Sequence, residues 1–163
     1  MDTEMILKLK ANDGKVVEIS NKAASRSKVL KEMMNDYPEA SEIPLNEVDG
    51  PTLFKVVDYL SKYKDEEPRI VEKPLKSNDL KEVLQNDWEY NFLNIKNDAI
   101  ISLMKASNFL DIKPLLELIA VKIACDIRGT TTESIVKCFN LKNFNKEEEQ
   151  NIIDMKAQLE KSL

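Results

Sequence analysis

The chain has 163 residues, of which 42% are hydrophobic and 33% are charged. That length suits one ordinary domain, or a domain with a helical extension, and the composition still allows a buried core. The net charge is -5, and lysines and glutamates are interspersed without a basic stripe. Nucleic acid is therefore not expected as a partner.

The two cysteines, Cys125 and Cys138, lie in apolar helical contexts and lack the spacing of metal ligands. We expect two buried thiols in a reducing compartment, not a disulfide. The chain does not begin with an apolar signal segment, and no run is long enough to cross a membrane. The sequence therefore predicts a soluble cytoplasmic or nuclear protein, with no metal, no cofactor and no membrane partner.

The first part of the chain predicts a small sheet. We expect a β-hairpin, with strands over residues 5–10 and 15–19 around a turn at Gly14, because Asn-Asp-Gly is a hairpin-turn sequence. Residues 42–45 predict a third, short strand. Pro44 places that strand at an edge of the sheet, because a proline has no N–H to donate.

Most of the remaining chain predicts helix. Ser20 and Ser25 are candidate caps before a helix from Ser27 to Tyr37, and Pro51 suits the first turn of the next helix. Further helices are expected around Trp88 and Phe92 and from Asp98 onward. Another should run from Ile112 to Arg128 and end before Gly129. The last two should run from a capping box at Thr130–Glu133 through Cys138, and from about Glu147 to Lys161. Strands followed by helices predict an α+β fold, a small sheet capped by helices.

Residues 64–86 differ in character from the rest of the chain. They are charged, carry Pro68 and Pro74, and show no sustained apolar pattern. The segment predicts a mobile loop or a disordered insertion, with one helical turn around Leu80 and Leu84.

The expected helix from Ile112 to Arg128 is apolar on two faces. A surface helix normally has one apolar stripe, so this helix is covered on two sides. One face comprises Ile112, Leu115, Leu116, Ile119, Ile123 and Ile127, and the other comprises Leu118, Val121 and Cys125. The second cover is either the C-terminal helices, as the core of a helical subdomain, or a partner protein.

The residues that usually carry out catalysis are missing or isolated. The chain has no His, and neither cysteine has a basic neighbourhood that would activate it. The carboxylate runs at 65–67 and 147–149 are typical of solvated faces and helix starts. We therefore do not expect an enzyme.

The stretch from Ala106 to Leu116 predicts a helix end, a tight break and a new helix. Asp111 is a candidate N-cap there, and Pro114 suits the first helical turn. This joint resembles the signature of the S-phase kinase-associated protein 1 family, the adaptors of SCF ubiquitin ligases. The resemblance extends, in order, over the hairpin at Asp13-Gly14, Ile43-Pro-Leu45, the charged insertion, Trp88 with Phe92-Leu93, residues 108–113 and residues 139–143.

The resemblance implies a BTB/POZ-type domain over residues 1–128, with a variable charged loop at about 64–86. Two additional C-terminal helices over residues 129–163 would bind an F-box. It implies a non-catalytic adaptor that links the N-terminal domain of a cullin to F-box proteins, the substrate receptors, for ubiquitination and degradation. By position, Asn108 and Phe109 would contact the cullin. The residues that would face the F-box are Ile100, Ile101, Met104, Leu116, Ile119, Ile123, Ile127, Ile135, Phe139, Leu141, Ile152 and Leu159.

The sequence departs from the family pattern at several positions. Phe109 stands where the family often has Tyr, and Lys105 stands where an apolar residue is usual. The connector at residues 143–146 is one residue shorter than is common and lacks a proline. The last helix has Gln158 and Leu159 where the family places an aromatic residue, so its hold on an F-box is in question.

Two other roles are compatible with the same fold. One is a structural F-box-binding subunit of an assembly without a cullin, such as a kinetochore complex. The other is a BTB-like domain that hides its apolar face in a weak homodimer when no partner is bound.

Overall fold

The computed structural model of the chain describes residues 5–142 and 145–161. The chain divides into two compact units between Arg128 and Gly129. The first unit contains β1 (Ile6–Ala11), β2 (Val16–Ser20), α1 (Asn21–Ala24), α2 (Lys28–Asp36), β3 (Glu42–Leu45), α3 (Gly50–Lys62), α4 (Leu80–Leu84), α5 (Asp87–Leu93), α6 (Asn97–Phe109) and α7 (Lys113–Ile127). The second contains α8 (Thr132–Cys138) and α9 (Lys146–Lys161). This mixture confirms the predicted α+β fold.

The sheet has three strands in the order β2-β1-β3. Strand β1 pairs antiparallel with β2 and parallel with β3, so Leu9 faces Val17 on one side and Ile43 on the other. The hairpin turn confirms the prediction, because Gly14 has a φ of 83°, which suits glycine. The edge position predicted for the strand that contains Pro44 is confirmed as well.

The core of the first unit lies between the inner face of the sheet and the helices. Alternate residues of β1 point inward, and α3 buries Leu53, Val56 and Leu60 along one face. Asp49 caps α3 by accepting a hydrogen bond from the Thr52 N–H at 2.9 Å.

Four aromatic rings extend the core between α3 and α5. The predicted helix around Trp88 and Phe92 is α5, and these two rings stack with centroids 5.0 Å apart. Tyr59 of α3 and Tyr63, which directly follows α3, pack against Trp88, with centroids 6.5 and 5.9 Å from it. The aromatic pair therefore returns the chain to the core after the charged segment.

The charged segment at residues 64–86 contacts other parts of the first unit and also contacts itself. Its predicted helical turn is α4, which buries Leu84 completely. Arg69 Nη2 donates to the Leu84 carbonyl at 2.5 Å. The Arg128 side chain donates to the Leu75 carbonyl at 2.8 Å. Side-chain contacts thus tie parts of this segment to α4 and to the end of α7.

Four predicted helix caps are displaced in the structure. Ser20 caps α1 as expected, whereas Ser25 follows that helix and its hydroxyl donates back to the Lys22 carbonyl. The cap of α2 is Ser27, whose hydroxyl accepts from the Leu30 N–H at 3.2 Å. Asp98, which we expect to cap the next helix, lies in the first turn of α6, whose N-cap position is Lys96. Asp111 does not cap α7, and Thr130 precedes Thr131, which caps α8.

The second unit is far less buried than the first. Asn145 and Glu148 cap α9 reciprocally, because each backbone N–H donates to the other side chain at 2.9 and 2.8 Å. No residue of α8 or α9 is buried. Cys138, which we expected to be buried, is exposed, whereas Cys125 of the first unit is buried as expected. The predicted connector contacts at Asn143 and Phe144 lie outside the described residues.

We predict that Ser27→Ala lowers the free energy of unfolding by about 1–3 kcal/mol, because it removes a helix cap and leaves a buried carbonyl of Leu110 without its donor. Urea unfolding followed by circular dichroism measures this change. Ser25→Ala is the matched control, since it removes an exposed hydroxyl only two residues away. Equal losses in the two variants would contradict the role assigned to Ser27.

Candidate partner-binding surfaces

A tight chain break separates α6 from α7. Asp111 lies in it with a φ of 48°, in the left-handed region, between the buried residues Leu110 and Ile112. The prediction of Asp111 as the N-cap of α7 is wrong, because that position is Ile112 and no side chain caps the helix. Pro114 lies in the first turn of α7, as predicted.

Three buried hydrogen bonds fix the geometry of the break. The Ser27 hydroxyl donates to the Leu110 carbonyl at 2.6 Å, which ties the break to the start of α2. The Ile112 N–H donates to the Ser107 carbonyl at 2.9 Å. The Ser107 hydroxyl donates to the Leu103 carbonyl at 2.6 Å, one turn earlier in α6. These hydrogen bonds connect the last turn of α6 and the break after it to the preceding turn of α6, to the start of α7 and to the start of α2.

This anchoring presents Asn108 and Phe109 to solvent. Both are exposed, and Phe109 keeps 39% of its surface accessible, although Ser107 and Leu110 beside them are fully buried. An exposed aromatic ring next to an amide, on a fixed backbone, is typical of a protein contact site. We call these two residues the α6 tip. Their contact with a cullin stays a prediction.

A second surface follows the side of α7. Leu116, Ile123 and Ile127 are partly exposed, and with the exposed Ala120 they recur at spacings of three and four residues. We call these four residues the α7 stripe. On α6, which packs against α7, Ile101 and Met104 are partly exposed too. Five of the predicted F-box contacts therefore keep accessible surface in the first unit.

Two predicted F-box contacts lie in the core instead. Ile100 and Ile119 are 1% and 0% exposed, so neither side chain has a surface to offer. Ile100 belongs to the inward face of α6 with Leu103, and Ile119 lies one turn from Leu115 on the inward face of α7. The core covers all of the predicted α7 face formed by Leu118, Val121 and Cys125. It covers only part of the other face, and the residues left accessible there belong to the α7 stripe.

The second unit exposes the other predicted contacts. Ile135 and Phe139 of α8 are partly exposed, and Leu141 is 51% exposed. On α9, Ile152 and Leu159 are 45% and 65% exposed. A helix that leaves apolar side chains in water along one side usually faces a partner.

Two residues that the structure brings forward are absent from the predicted contacts. Met155 is 60% exposed and lies between Ile152 and Leu159 at helical spacing, so the same periodicity rule assigns it to that side of α9. The sequence indicates Ser27 only as a helix start, because no sequence pattern connects it with Leu110.

Cys125 lies on the buried side of α7 and has an altered thiol pKa. Burial, followed by the nearby Asp126 carboxylate, raises the pKa of the Cys125 thiol. Within residues 5–142 and 145–161, no group of three or more His, Cys, Asp or Glu side chains is arranged to hold a metal ion. None of the helices found in those residues has both the length and the apolarity needed to cross a membrane.

Two family models match the sequence. The Skp1 family tetramerisation domain matches residues 5–65, and the Skp1 family dimerisation domain matches residues 113–158. The chain is 33% identical to a protein named S-phase kinase-associated protein 1 homolog from Tetrahymena thermophila, over 90% of the chain and 89% of that protein.

Two further relatives carry names that mention an SCF complex. The chain is 37% identical to the SCF ubiquitin ligase complex protein SKP1a of Dictyostelium discoideum, over 90% of the chain and 91% of the relative. It is 32% identical to the E3 ubiquitin ligase complex SCF subunit sconC of Emericella nidulans, over 91% of the chain and 92% of the relative. The similarity therefore spans nearly the full length on both sides.

We predict that iodoacetamide modifies Cys138 at least about tenfold faster than Cys125 at neutral pH, because Cys125 is buried and its thiol pKa is raised. Peptide mass spectrometry over a time course measures both rates. In Cys138→Ser the fast reaction should disappear, and in denaturant both sites should react alike. Similar rates in the native wild-type chain would show that α7 is not packed as described.

Proposed function

The chain belongs to the Skp1 family, and on that premise we propose that it is a non-catalytic adaptor subunit of an SCF ubiquitin ligase. In this role it joins the N-terminal domain of a cullin to F-box proteins, which bring substrates for ubiquitination and degradation. Its fold is the BTB/POZ type with additional C-terminal helices. The names of the relatives, two of them SCF subunits, support the role.

The observation that carries the proposal is that the chain exposes contact residues in separate places. The α6 tip is an exposed aromatic and amide pair on a fixed backbone, whereas the α7 stripe is apolar and runs along the side of the next helix. An adaptor needs distinct surfaces, because its two partners must bind at the same time.

We propose that the α6 tip contacts the cullin. The three hydrogen bonds at the break order this turn before any partner arrives, so little conformational entropy is lost on binding. Phe109 retains the ring of the Tyr that the family often has there and lacks its hydroxyl. The contact with the cullin would therefore depend on packing against the ring and on hydrogen bonds to the Asn108 amide.

We propose that F-box proteins contact exposed apolar residues of each unit. These are Ile101, Met104 and the α7 stripe in the first unit, and Ile135, Phe139, Leu141, Ile152, Met155 and Leu159 in the second. Ile100 and Ile119 support this surface from the core and do not contact the partner themselves. The exposure of α9 supports a partner, because its apolar side gains free energy only when it is covered.

Lys105 offers a means of receptor selection. It is exposed on α6 between Met104 and Asn108, and it replaces the apolar residue usual in the family. An F-box that places an apolar side chain against Lys105 would have to desolvate the ammonium group. We propose that Lys105 narrows the set of F-boxes that this chain accepts.

We place the protein in the cytoplasm and nucleus, where its proposed partners act. A structural role in a cullin-free assembly such as a kinetochore complex is not favoured, because the names of the relatives describe SCF subunits. Weak homodimerisation remains the expected behaviour of the apolar surfaces if no F-box is supplied.

We predict that Asn108→Lys with Phe109→Lys abolishes co-purification with a cullin N-terminal domain and retains binding of an F-box domain. Two new positive charges on exposed positions should change the free energy of unfolding by only about 0.5 kcal/mol each or less. Phe54→Lys is the matched control, since Phe54 is 65% exposed on α3 and belongs to neither proposed surface. Retention of the cullin by the double variant would contradict the assignment of the α6 tip.

We predict the opposite selectivity for Ile123→Lys in the α7 stripe. A lysine there places a charge against an apolar partner, so affinity for an F-box domain should fall at least about tenfold. Cullin binding should persist, because Ile123 lies outside the α6 tip. The fold should persist too, because in the unbound chain the stem of the lysine can lie along the helix while its charge reaches water. Isothermal titration calorimetry measures both affinities. Ile70→Lys controls for the added charge, because Ile70 is 80% exposed and lies in the charged segment. If Ile123→Lys leaves the F-box affinity unchanged, the α7 stripe does not contact the F-box.

A further inference from the structure

A cleft of about 420 Å³ lies in the first unit, apart from the α6 tip and the α7 stripe. The charged segment forms one wall with Ile70 and Val71, and the N-terminal half of α7 forms another with Leu118 and Val121. The volume falls in the range that holds a small organic ligand. Nothing in the adaptor role requires this cleft.

The cleft also has a polar lining, provided by Tyr59 of α3 and Glu89 of α5. Glu89 is 3% exposed, and its Oε1 accepts a hydrogen bond from the Tyr63 hydroxyl at 2.5 Å. Across the part of the chain that the structure describes, no lysine or arginine forms an ion pair with Glu89. A buried carboxylate without a cation is costly in the folded state.

The Tyr59 hydroxyl is a second buried polar group in the lining of this cleft. Tyr59 is 2% exposed. Its hydroxyl oxygen is buried and has no hydrogen-bond partner among residues 5–142 and 145–161. Burial, together with the negative charge of Glu89, raises the pKa of Tyr59 above its usual range. It lies near a carboxylate that accepts from Tyr63 instead.

These two groups define the chemistry of a fitting ligand. A positively charged N–H donor would neutralise the Glu89 carboxylate and supply the hydrogen bond that the Tyr59 oxygen lacks. An apolar stem behind that group would pack against Pro114, Leu118 and Val121. Exposed side chains of both signs also line the cleft, namely Arg69, Lys73, Lys113, Glu67 and Glu117. At the buried end an anion is disfavoured, because it would meet the Glu89 carboxylate there.

We propose that this cleft binds an alkylammonium group, a primary amine in its charged form at the end of an apolar stem. The stem would lie between α7 and the charged segment, with the ammonium directed at Glu89 and Tyr59. The same chemistry occurs in a lysine side chain of a peptide and in a free alkylamine. This proposal goes beyond the adaptor role and does not depend on it.

The rim of the cleft supplies a matched control. Glu117 also lines it, but that carboxylate is exposed on α7 and already solvated by water. Glu117→Gln therefore removes the same charge as Glu89→Gln without touching the buried lining. Tyr59→Phe removes a hydroxyl that makes no hydrogen bond, so it should fold normally.

The test is a titration of the full chain with n-pentylammonium, with 1-pentanol as its neutral counterpart. Trp88 is the one tryptophan in the sequence and its ring centroid lies 6.5 Å from that of Tyr59, so its fluorescence reports on the cleft. Backbone amide shifts at residues 59, 89, 118 and 121 are the second readout. N-acetyl-lysine methylamide, titrated in parallel, distinguishes a peptide side chain from a free amine as the source.

We expect saturable binding of n-pentylammonium to the wild type and to Glu117→Gln, and an affinity at least about tenfold lower for Glu89→Gln. Tyr59→Phe should weaken binding to a smaller extent. Pentanol should bind more weakly than the amine and equally to the wild type and Glu89→Gln. The proposal is overturned if neither readout detects saturable amine binding, or if Glu89→Gln and Tyr59→Phe both bind the amine as the wild type does.

Discussion

One buried hydroxyl, that of Ser27, joins two parts of the chain that are 83 residues apart. It accepts a hydrogen bond from the Leu30 N–H and so begins α2, and it donates to the Leu110 carbonyl in the break between α6 and α7. The carbonyl of a residue in a tight break has no helical partner, and its burial would otherwise be costly. The direction in which α7 leaves α6 therefore depends on a side chain from the N-terminal part of the domain.

That direction decides which apolar residues are structural and which are available to partners. It turns Ile112, Leu115 and Ile119 of α7 into the core, and it leaves the α7 stripe at the surface. It also brings Asn108 and Phe109 to the end of a fixed helix, next to buried neighbours. The surface proposed for the cullin and the first unit's part of the surface proposed for the F-box thus both depend on the break between α6 and α7.

The sequence predicts the elements of this fold well and its three-dimensional details less well. Alternation in the strands and helical periodicity in α3, α7 and α9 identify these elements, because each pattern places apolar side chains at the spacing of a strand or a helix. The caps predicted at Ser25 and Thr130 are displaced to Ser27 and Thr131, because neighbouring serines and threonines are chemically equivalent caps. Only the distant Leu110 carbonyl selects Ser27 over Ser25. The prediction that Ile100 and Ile119 contact the F-box is wrong, because both are buried. When a helix is apolar on several faces, its sequence pattern does not show which face is turned toward the core.

The most direct test of the adaptor account is whether the two proposed partners bind together. The chain would be mixed with a cullin N-terminal domain, with an F-box domain, and with both, and each mixture measured by size exclusion with multi-angle light scattering. The account predicts one complex that contains one copy of each of the three proteins, and two binary complexes in the separate mixtures. Displacement of one partner by the other, so that no mixture contains all three, would contradict the central claim that the chain has two independent partner surfaces.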